Sequence, residues 1–262
     1  MKKTLKNWFA ALLLAAPMSV ALAAGGGHYP KVDIDLGDQV SLQRGAQIFT
    51  NYCLSCHSAS GMRFNRLTDL GLTEDQIKKN MMFTTDKIGD TMQAAMDPAD
   101  AKNWFGAPPP DLTLIARSRG ADYLYAYLRG FYQDPTRPSG WNNTVFDKVG
   151  MPHPLWEQQG VKAVELDDKG QPVWVKNEHT GLMEPKLYWK STGLHSRTMP
   201  DGKVSEAEFD TYAKDLVTYM VYMGEPAQMK RKQIGYVVLM FLFAVMLPLA
   251  YFLKKEYWKD VH

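Results

Sequence analysis

Apolar residues at helical spacing predict most of the regular structure in the middle of the chain. They recur every three or four positions in 42–52, 72–82 and 121–131, and a longer stripe runs from Phe209 to Met223. Ser41, Thr73 and Ser205 are predicted to cap the first, second and last of these helices. A further short helix is predicted over Thr91–Met96.

Strand-like alternation is confined to short stretches. Residues 24–38 alternate at Val32, Ile34 and Leu36 and are predicted to form an extended surface strap. Residues 161–166 and 171–175 flank Asp-Asp-Lys-Gly and are predicted to pair as a β-hairpin. Residues 134–149 and 176–204 show no clear period and are predicted to be loops, so the soluble part is mainly α.

The first residues have the composition of a targeting segment. Three lysines precede an apolar run from Trp8 to Ala16, and Ala21-Leu22-Ala23 supplies a small-x-small site. This is typical of a secretory signal peptide, and the apolar run is too short to span a bilayer. Residues 1–23 are therefore predicted to be removed and residues 24–229 to be exported, with a retained anchor as the alternative.

A second apolar segment near the other end has different properties. Residues 234–253 are twenty residues without a charge, preceded by Lys230-Arg231-Lys232 and followed by Lys254-Lys255. At ~1.5 Å per residue they span about 30 Å, the thickness of the hydrocarbon core. They are predicted to form one transmembrane helix in a bacterial cytoplasmic membrane, with 24–229 in the periplasm and 254–262 as a cytoplasmic tail. The alternative is a buried helix of a soluble core.

The charge distribution narrows the class of partner. The whole chain has a formal net charge of +2, but the basic groups are concentrated at its two ends, which leaves residues 24–229 acidic. An acidic body argues against nucleic acid and favours a basic partner, although a mild acidic excess also simply aids solubility.

The two cysteines of the chain fall in one pentapeptide, Cys53-Leu54-Ser55-Cys56-His57. C-x-x-C-H is the pattern for covalent attachment of c-type haem, because each thiol can bond one vinyl group while the histidine ligates iron. A zinc half-site would need about four ligands, and a dithiol redox site a thioredoxin-like setting. One covalent haem c is therefore predicted, with His57 as an axial ligand.

The opposite axial ligand is not fixed by spacing. Methionine suits an electron-transfer haem, and two of the fifteen methionines precede a proline in a loop, Met151 and Met199. The residues alone favour neither of these two, and His153 and His195 are weaker rivals.

Several motifs in this order resemble those of the cytochrome c1 family, the haem subunit of ubiquinol–cytochrome c reductase (the cytochrome bc1 complex). The resemblance covers nearly the whole mature chain. It is carried by 53–57, 108–117, 120–123, 149–152 and 224–226 followed by one C-terminal helix. It implies a class I cytochrome c-like haem domain with a small β-hairpin insertion and one C-terminal transmembrane helix. The stretch 176–203 has no clear counterpart in the family pattern.

The resemblance also implies function and site residues. It places the axial methionine at Met151, and it puts Arg117 and Tyr123 near the haem, Arg117 at a propionate. The implied function is relay of single electrons from the Rieske iron–sulfur protein to cytochrome c, beside cytochrome b in a dimeric complex. The alternatives are another tethered c-type cytochrome, with Met199 as ligand, and a haem sensor or peroxidase with an open sixth position.

Overall fold

The structure is a computed structural model that describes residues 29–178 and 181–259. The predicted signal peptide, residues 1–23, lies outside the described residues. The helices of the haem domain are α1 (Gln39–Ile48), α2 (Glu74–Asn80), α3 (Pro98–Phe105), α4 (Ile115–Arg119), α5 (Ala121–Arg129), α6 (Trp156–Gln159) and α7 (Ala207–Gly224). A π-helical turn (Phe49–Cys53) continues α1, and a 3₁₀ helix spans Phe64–Leu70.

The strands are short and form small sheets. They are β1 (Ala59–Arg63), β2 (Thr91–Met92), β3 (Phe131–Gln133), β4 (Trp141–Asn143), β5 (Gly160–Val164), β6 (Trp174–Lys176), β7 (Met183–Pro185), β8 (Leu187–Thr192), β9 (Arg197–Thr198) and β10 (Val204–Ser205). The largest sheet has the order β4-β3-β5-β8, with β3 and β5 parallel. The predicted mainly α class with a small β insertion is confirmed.

The predicted hairpin is present only around its turn, because β6 pairs with β7 and not with β5. Asp167 and Gln171 close the turn with a 2.8 Å backbone hydrogen bond, and Leu166 bridges Pro172. The main partner of β5, however, is β8, which lies in the stretch predicted to be a loop. Such long-range pairing has no local signature in the sequence.

Two predicted caps and one predicted helix are wrong. Asp38, not Ser41, caps α1 by accepting the Ser41 backbone N–H at 3.0 Å, because the Ser41 hydroxyl instead donates to Asp215 at 2.6 Å. Ser205 belongs to β10, and α7 begins after Glu206. Residues Thr91–Met92 form β2 against β1, while the capping box at Thr73 is confirmed.

The first and last helices of the haem domain cross at Gly45. A Cβ built at this position would lie 2.1 Å from the Asp215 backbone oxygen and 2.7 Å from Tyr219 Cβ. Beside the crossing, the Phe49 and Tyr219 rings are 5.5 Å apart, and the Arg44 guanidinium binds the buried Asp215 carboxylate at 2.5 Å. The crossing fixes the direction in which α1 leads into the cysteines.

Gly45→Ala is therefore expected to destabilise the protein, because the added methyl group must push two packed helices apart. The expected loss is about 1–3 kcal/mol of unfolding free energy, the usual cost of overpacking. Thermal unfolding of the detergent-solubilised protein, followed by circular dichroism, measures it. Gly89→Ala is the matched control, because a Cβ there meets nothing within 4 Å. Equal midpoints for the two variants would contradict the close crossing.

The C-terminal segment forms α8 (Gln228–Phe241), a π-helical turn (Leu242–Met246) and α9 (Leu247–Tyr257). Together they make a 30-residue helix whose most apolar 18-residue window has a mean hydropathy of 2.4 and no buried residue, so the helix is long and apolar enough to cross a membrane. The π-helical turn ends two residues before Pro248, which has no N–H for the usual helical bond. The helix contains the predicted span 234–253 and fits a membrane anchor.

Candidate haem site

The pentapeptide turns tightly at the end of the π-helical turn. The backbone N–H groups of Cys56 and His57 both donate to the Cys53 carbonyl, at 3.1 and 2.8 Å. Both cysteines are free thiols, Cys53 buried and Cys56 half-buried. Burial raises the pKa of the Cys53 thiol to about 12, with a smaller contribution from Cys56. The turn thus presents two unpaired sulfurs and an imidazole within one short segment.

The His57 ring is fixed by one hydrogen bond. Its side chain is buried, and Nδ1 lies 2.8 Å from the Pro110 carbonyl oxygen. A carbonyl only accepts, so Nδ1 carries the proton and Nε2 keeps its lone pair for a metal. Burial lowers the pKa of His57, opposed by the Pro110 hydrogen bond and the Asp111 charge.

Asp111 holds the proline segment in place. Its carboxylate accepts the backbone N–H groups of Ser60 and Thr113, each at 2.8 Å, and the Leu112 N–H donates to the Ser58 carbonyl at 2.8 Å. Burial raises the pKa of Asp111, but these hydrogen bonds outweigh it and leave the pKa below its ordinary value. The segment 108–113 is therefore tied to the residues just after the pentapeptide, which positions the Pro110 carbonyl.

Met151 lies half-buried beside an aromatic column on α5 and β3. Tyr127 donates its hydroxyl to the Met151 Sδ at 3.5 Å. Two residues on, the buried His153 ring stacks on Phe131 with centroids 4.7 Å apart, and its Nε2 pairs with Gln159 Oε1 at 2.9 Å. These contacts hold the Gly-Met-Pro segment against the column, and they engage His153 in packing.

The rival ligands have different surroundings. Met199 is 47% exposed in the turn between β9 and β10, where its backbone N–H binds the Lys203 carbonyl at 2.7 Å. The half-buried His195 ring stacks on Tyr212 with centroids 4.7 Å apart. An exposed hairpin turn is a poor support for an iron ligand, so the geometry favours Met151, whose ligation stays a prediction.

The two remaining predicted residues lie in different places. Tyr123 belongs to the aromatic column, stacked on Tyr127 at 6.1 Å. Arg117 pairs with Glu225 at 3.5 Å, beside the end of α7, and its side chain is 60% exposed. Arg119, which the sequence did not single out, lies over the Tyr123 ring at 5.7 Å and has no ion-pair partner among the described residues. The only sequence signal for Arg119 is its position immediately before the Gly120 turn.

The donor set suits a covalent haem c. Two free thiols two residues apart, an imidazole with an available Nε2 and a positioned thioether are the groups that such a haem requires. The residues present therefore fit the group, and the haem c prediction is confirmed by the family to which the chain is similar.

The comparisons with known proteins give one consistent family. The sequence model of the Cytochrome C1 family matches residues 34–178 and 194–261. Cytochrome c1 of Allochromatium vinosum is 44% identical over 97% of this chain and 98% of its own length. A protein of Nitrosomonas europaea described as an ammonia monooxygenase gamma subunit is 47% identical over 96% and 97% of the two chains. Cytochrome c1 of Rhodospirillum rubrum is 30% identical over 86% and 83%. The chain belongs to the cytochrome c1 family.

Proposed function

We propose that His57 and Met151 are the axial ligands of one haem c bonded to Cys53 and Cys56, through which the chain relays single electrons. The observation that carries this proposal is the Nδ1 hydrogen bond of His57 to Pro110, which orients a buried imidazole for metal binding directly beside two free thiols. The Met151 thioether, held by Tyr127, is the second ligand that the contacts support.

The haem supplies a reversible one-electron change at its iron, and the protein sets the conditions for it. Burial of His57 lowers its pKa and so favours the neutral imidazole, Asp111 keeps the proline segment in place, and a thioether ligand favours a raised potential. As a member of its family, the chain is the haem subunit of the cytochrome bc1 complex, with cytochrome b and the Rieske protein as partners. It passes electrons from the Rieske protein to cytochrome c.

The orientation in the membrane is part of the proposal. The helix Gln228–Tyr257 anchors the chain, and its flanks are basic on both sides, so charge alone gives no direction. The composition of residues 1–23 favours export of 24–229 to the periplasm, which leaves 254–262 in the cytoplasm. We place the chain in a dimeric complex on the strength of the family resemblance.

The haem propionates need a cation, and two arginines are available. Arg117 is the residue that the family resemblance implies, but it already pairs with Glu225, which Arg231 also binds. Arg119 has no carboxylate partner among the described residues and lies over Tyr123, in the aromatic column that Met151 contacts through Tyr127. We propose Arg119 as the principal propionate partner, with Arg117 as the alternative.

Purification of the native complex in mild detergent tests the function. The haem of this chain is expected to be reduced within milliseconds of mixing with a quinol, and to be reoxidised by added ferricytochrome c. Cytochrome b and a Rieske protein are expected in the same preparation. Purification with oxygenase subunits instead, as the description of the Nitrosomonas relative suggests for that protein, combined with no reduction by quinol, would contradict the relay.

A further inference from the structure

The hydroxyl of Tyr127, beside Met151, makes a hydrogen bond that the packing of its ring does not explain. The Tyr127 hydroxyl donates to the Met151 Sδ at 3.5 Å, and it has no other hydrogen-bond partner among the described residues. Thioethers are weak acceptors, so the half-buried hydroxyl of Tyr127, committed to one, is an uncommon choice.

We propose that Tyr127 is a positioning residue for electron transfer: its hydroxyl, bonded to the Met151 thioether, weakens the sulfur as an iron donor and raises the reduction potential. This inference rests on the proposed ligation by Met151.

The donor is held rigidly. Tyr127 is one helical turn after Tyr123 on α5, so the two rings lie on one face and stack with centroids 6.1 Å apart and planes at 16°. On its other side, Tyr127 meets the edge of Phe131 at 5.2 Å. Its backbone carbonyl accepts the Asn143 side-chain amide at 2.8 Å. The hydroxyl therefore has little freedom to leave the sulfur.

The loop that carries the acceptor, Met151, packs against the same aromatic column. His153 stacks on Phe131, the ring that also contacts Tyr127, and Gln159 binds both His153 and the Arg129 carbonyl, the latter at 3.0 Å. Because the donor and the acceptor loop are both fixed to α5 and β3, the distance between the hydroxyl and the sulfur is set by the fold.

The direction of the change in reduction potential follows from the electron density on the Met151 sulfur. A hydrogen bond draws density from the sulfur, which makes the thioether a poorer donor. The ferric state depends more on that donation than the ferrous state, so the bond favours the reduced form.

Tyr127→Phe tests this, because it removes only the hydroxyl and keeps the stacked ring. In redox titrations of the detergent-solubilised holoprotein, we expect the reduction equilibrium to shift about three- to tenfold towards the oxidised form, the range of one neutral hydrogen bond. The dissociation constant for imidazole binding to the oxidised protein is expected to rise, because the sulfur is then harder to displace. Tyr125→Phe is the matched control on the same helix, because its ring lies 5.0 Å from the Arg129 guanidinium and not against Met151, and it should change neither quantity.

A second variant keeps the test open if the phenylalanine protein does not fold. Site-specific 3-fluorotyrosine at position 127 makes the hydroxyl a stronger donor with almost no change of shape, and it is expected to shift both quantities the opposite way. A wild-type reduction equilibrium and a wild-type dissociation constant for imidazole, in either folded variant, would overturn the inference.

The spectrum of Met151→Leu separates this inference from the ligand assignment. If the sulfur-to-iron absorption band survives in Met151→Leu, the assignment of Met151 and the role of Tyr127 fail together. If the band is lost there while Tyr127→Phe behaves as wild type, only the role of Tyr127 fails.

Discussion

Met151→Leu is expected to abolish the long-wavelength sulfur-to-iron band of the oxidised protein. The variant loses the thioether but keeps an apolar side chain of similar volume, so the loop should still pack through His153 and Phe131. The midpoint potential is expected to fall by on the order of 0.1 V or more, within the roughly 0.8 V that axial ligands span. Optical spectroscopy and redox titration of the detergent-solubilised protein measure both effects.

Met199→Leu is the control for that substitution. Met199 also precedes a proline, but it is exposed in the β9–β10 turn, so its replacement should leave the band and the potential unchanged. Loss of the band in Met199→Leu, with retention in Met151→Leu, would reassign the ligand and favour the alternative of another tethered cytochrome.

Replacing both Cys53 and Cys56 with alanine is expected to remove all covalently bound haem. The two thiols are the ones that the chain offers for bonds to vinyl groups, and both are free. A denaturing gel stained for haem should show no coloured band at the mass of this chain, while immunodetection follows the polypeptide. Accumulation of the polypeptide is expected to drop as well, because the haem would form much of the core around His57.

Ser55→Ala is the matched control within the same pentapeptide. Ser55 is one of the two variable positions of the motif, and its hydroxyl lies 3.6 Å from the Cys56 sulfur without a role in attachment. This variant should stain as strongly as wild type. Persistent staining of the double-cysteine variant would mean that the haem is held by other groups.

The site shows which features a single sequence can reveal. Cys53 and His57 were identified because their chemistry is local to five residues. The tautomer of His57 could not be predicted, because it is set by the carbonyl of Pro110, 53 positions away. The packing of segment 108–113 against residues 58–61 leaves no periodic pattern in the sequence either. Met151 and Met199 could not be separated by spacing, because both precede a proline. The family resemblance favours Met151, and its burial and its contact with Tyr127 support the same choice.

The fold shows the same division between local and long-range features. The main helical stripes were predicted because apolar periodicity records burial on one face. The Ser41 cap was wrong, because Ser41 is recruited by Asp215, 174 positions later. Strand β8 was missed because it pairs with the distant β5, whereas β7 pairs with the nearby β6 in a short hairpin that the sequence pattern did not predict. Residues 179–193, which include both strands, also lie outside the family match.

The central claim is that a covalent haem is ligated by one imidazole and one thioether. The most direct measurement is the near-infrared spectrum of the oxidised wild-type protein, recorded with its covalent haem content per chain. One haem per chain, together with the sulfur-to-iron band, is the expected result. A chain without covalent haem, or a five-coordinate iron that lacks the band, would contradict the electron-relay account.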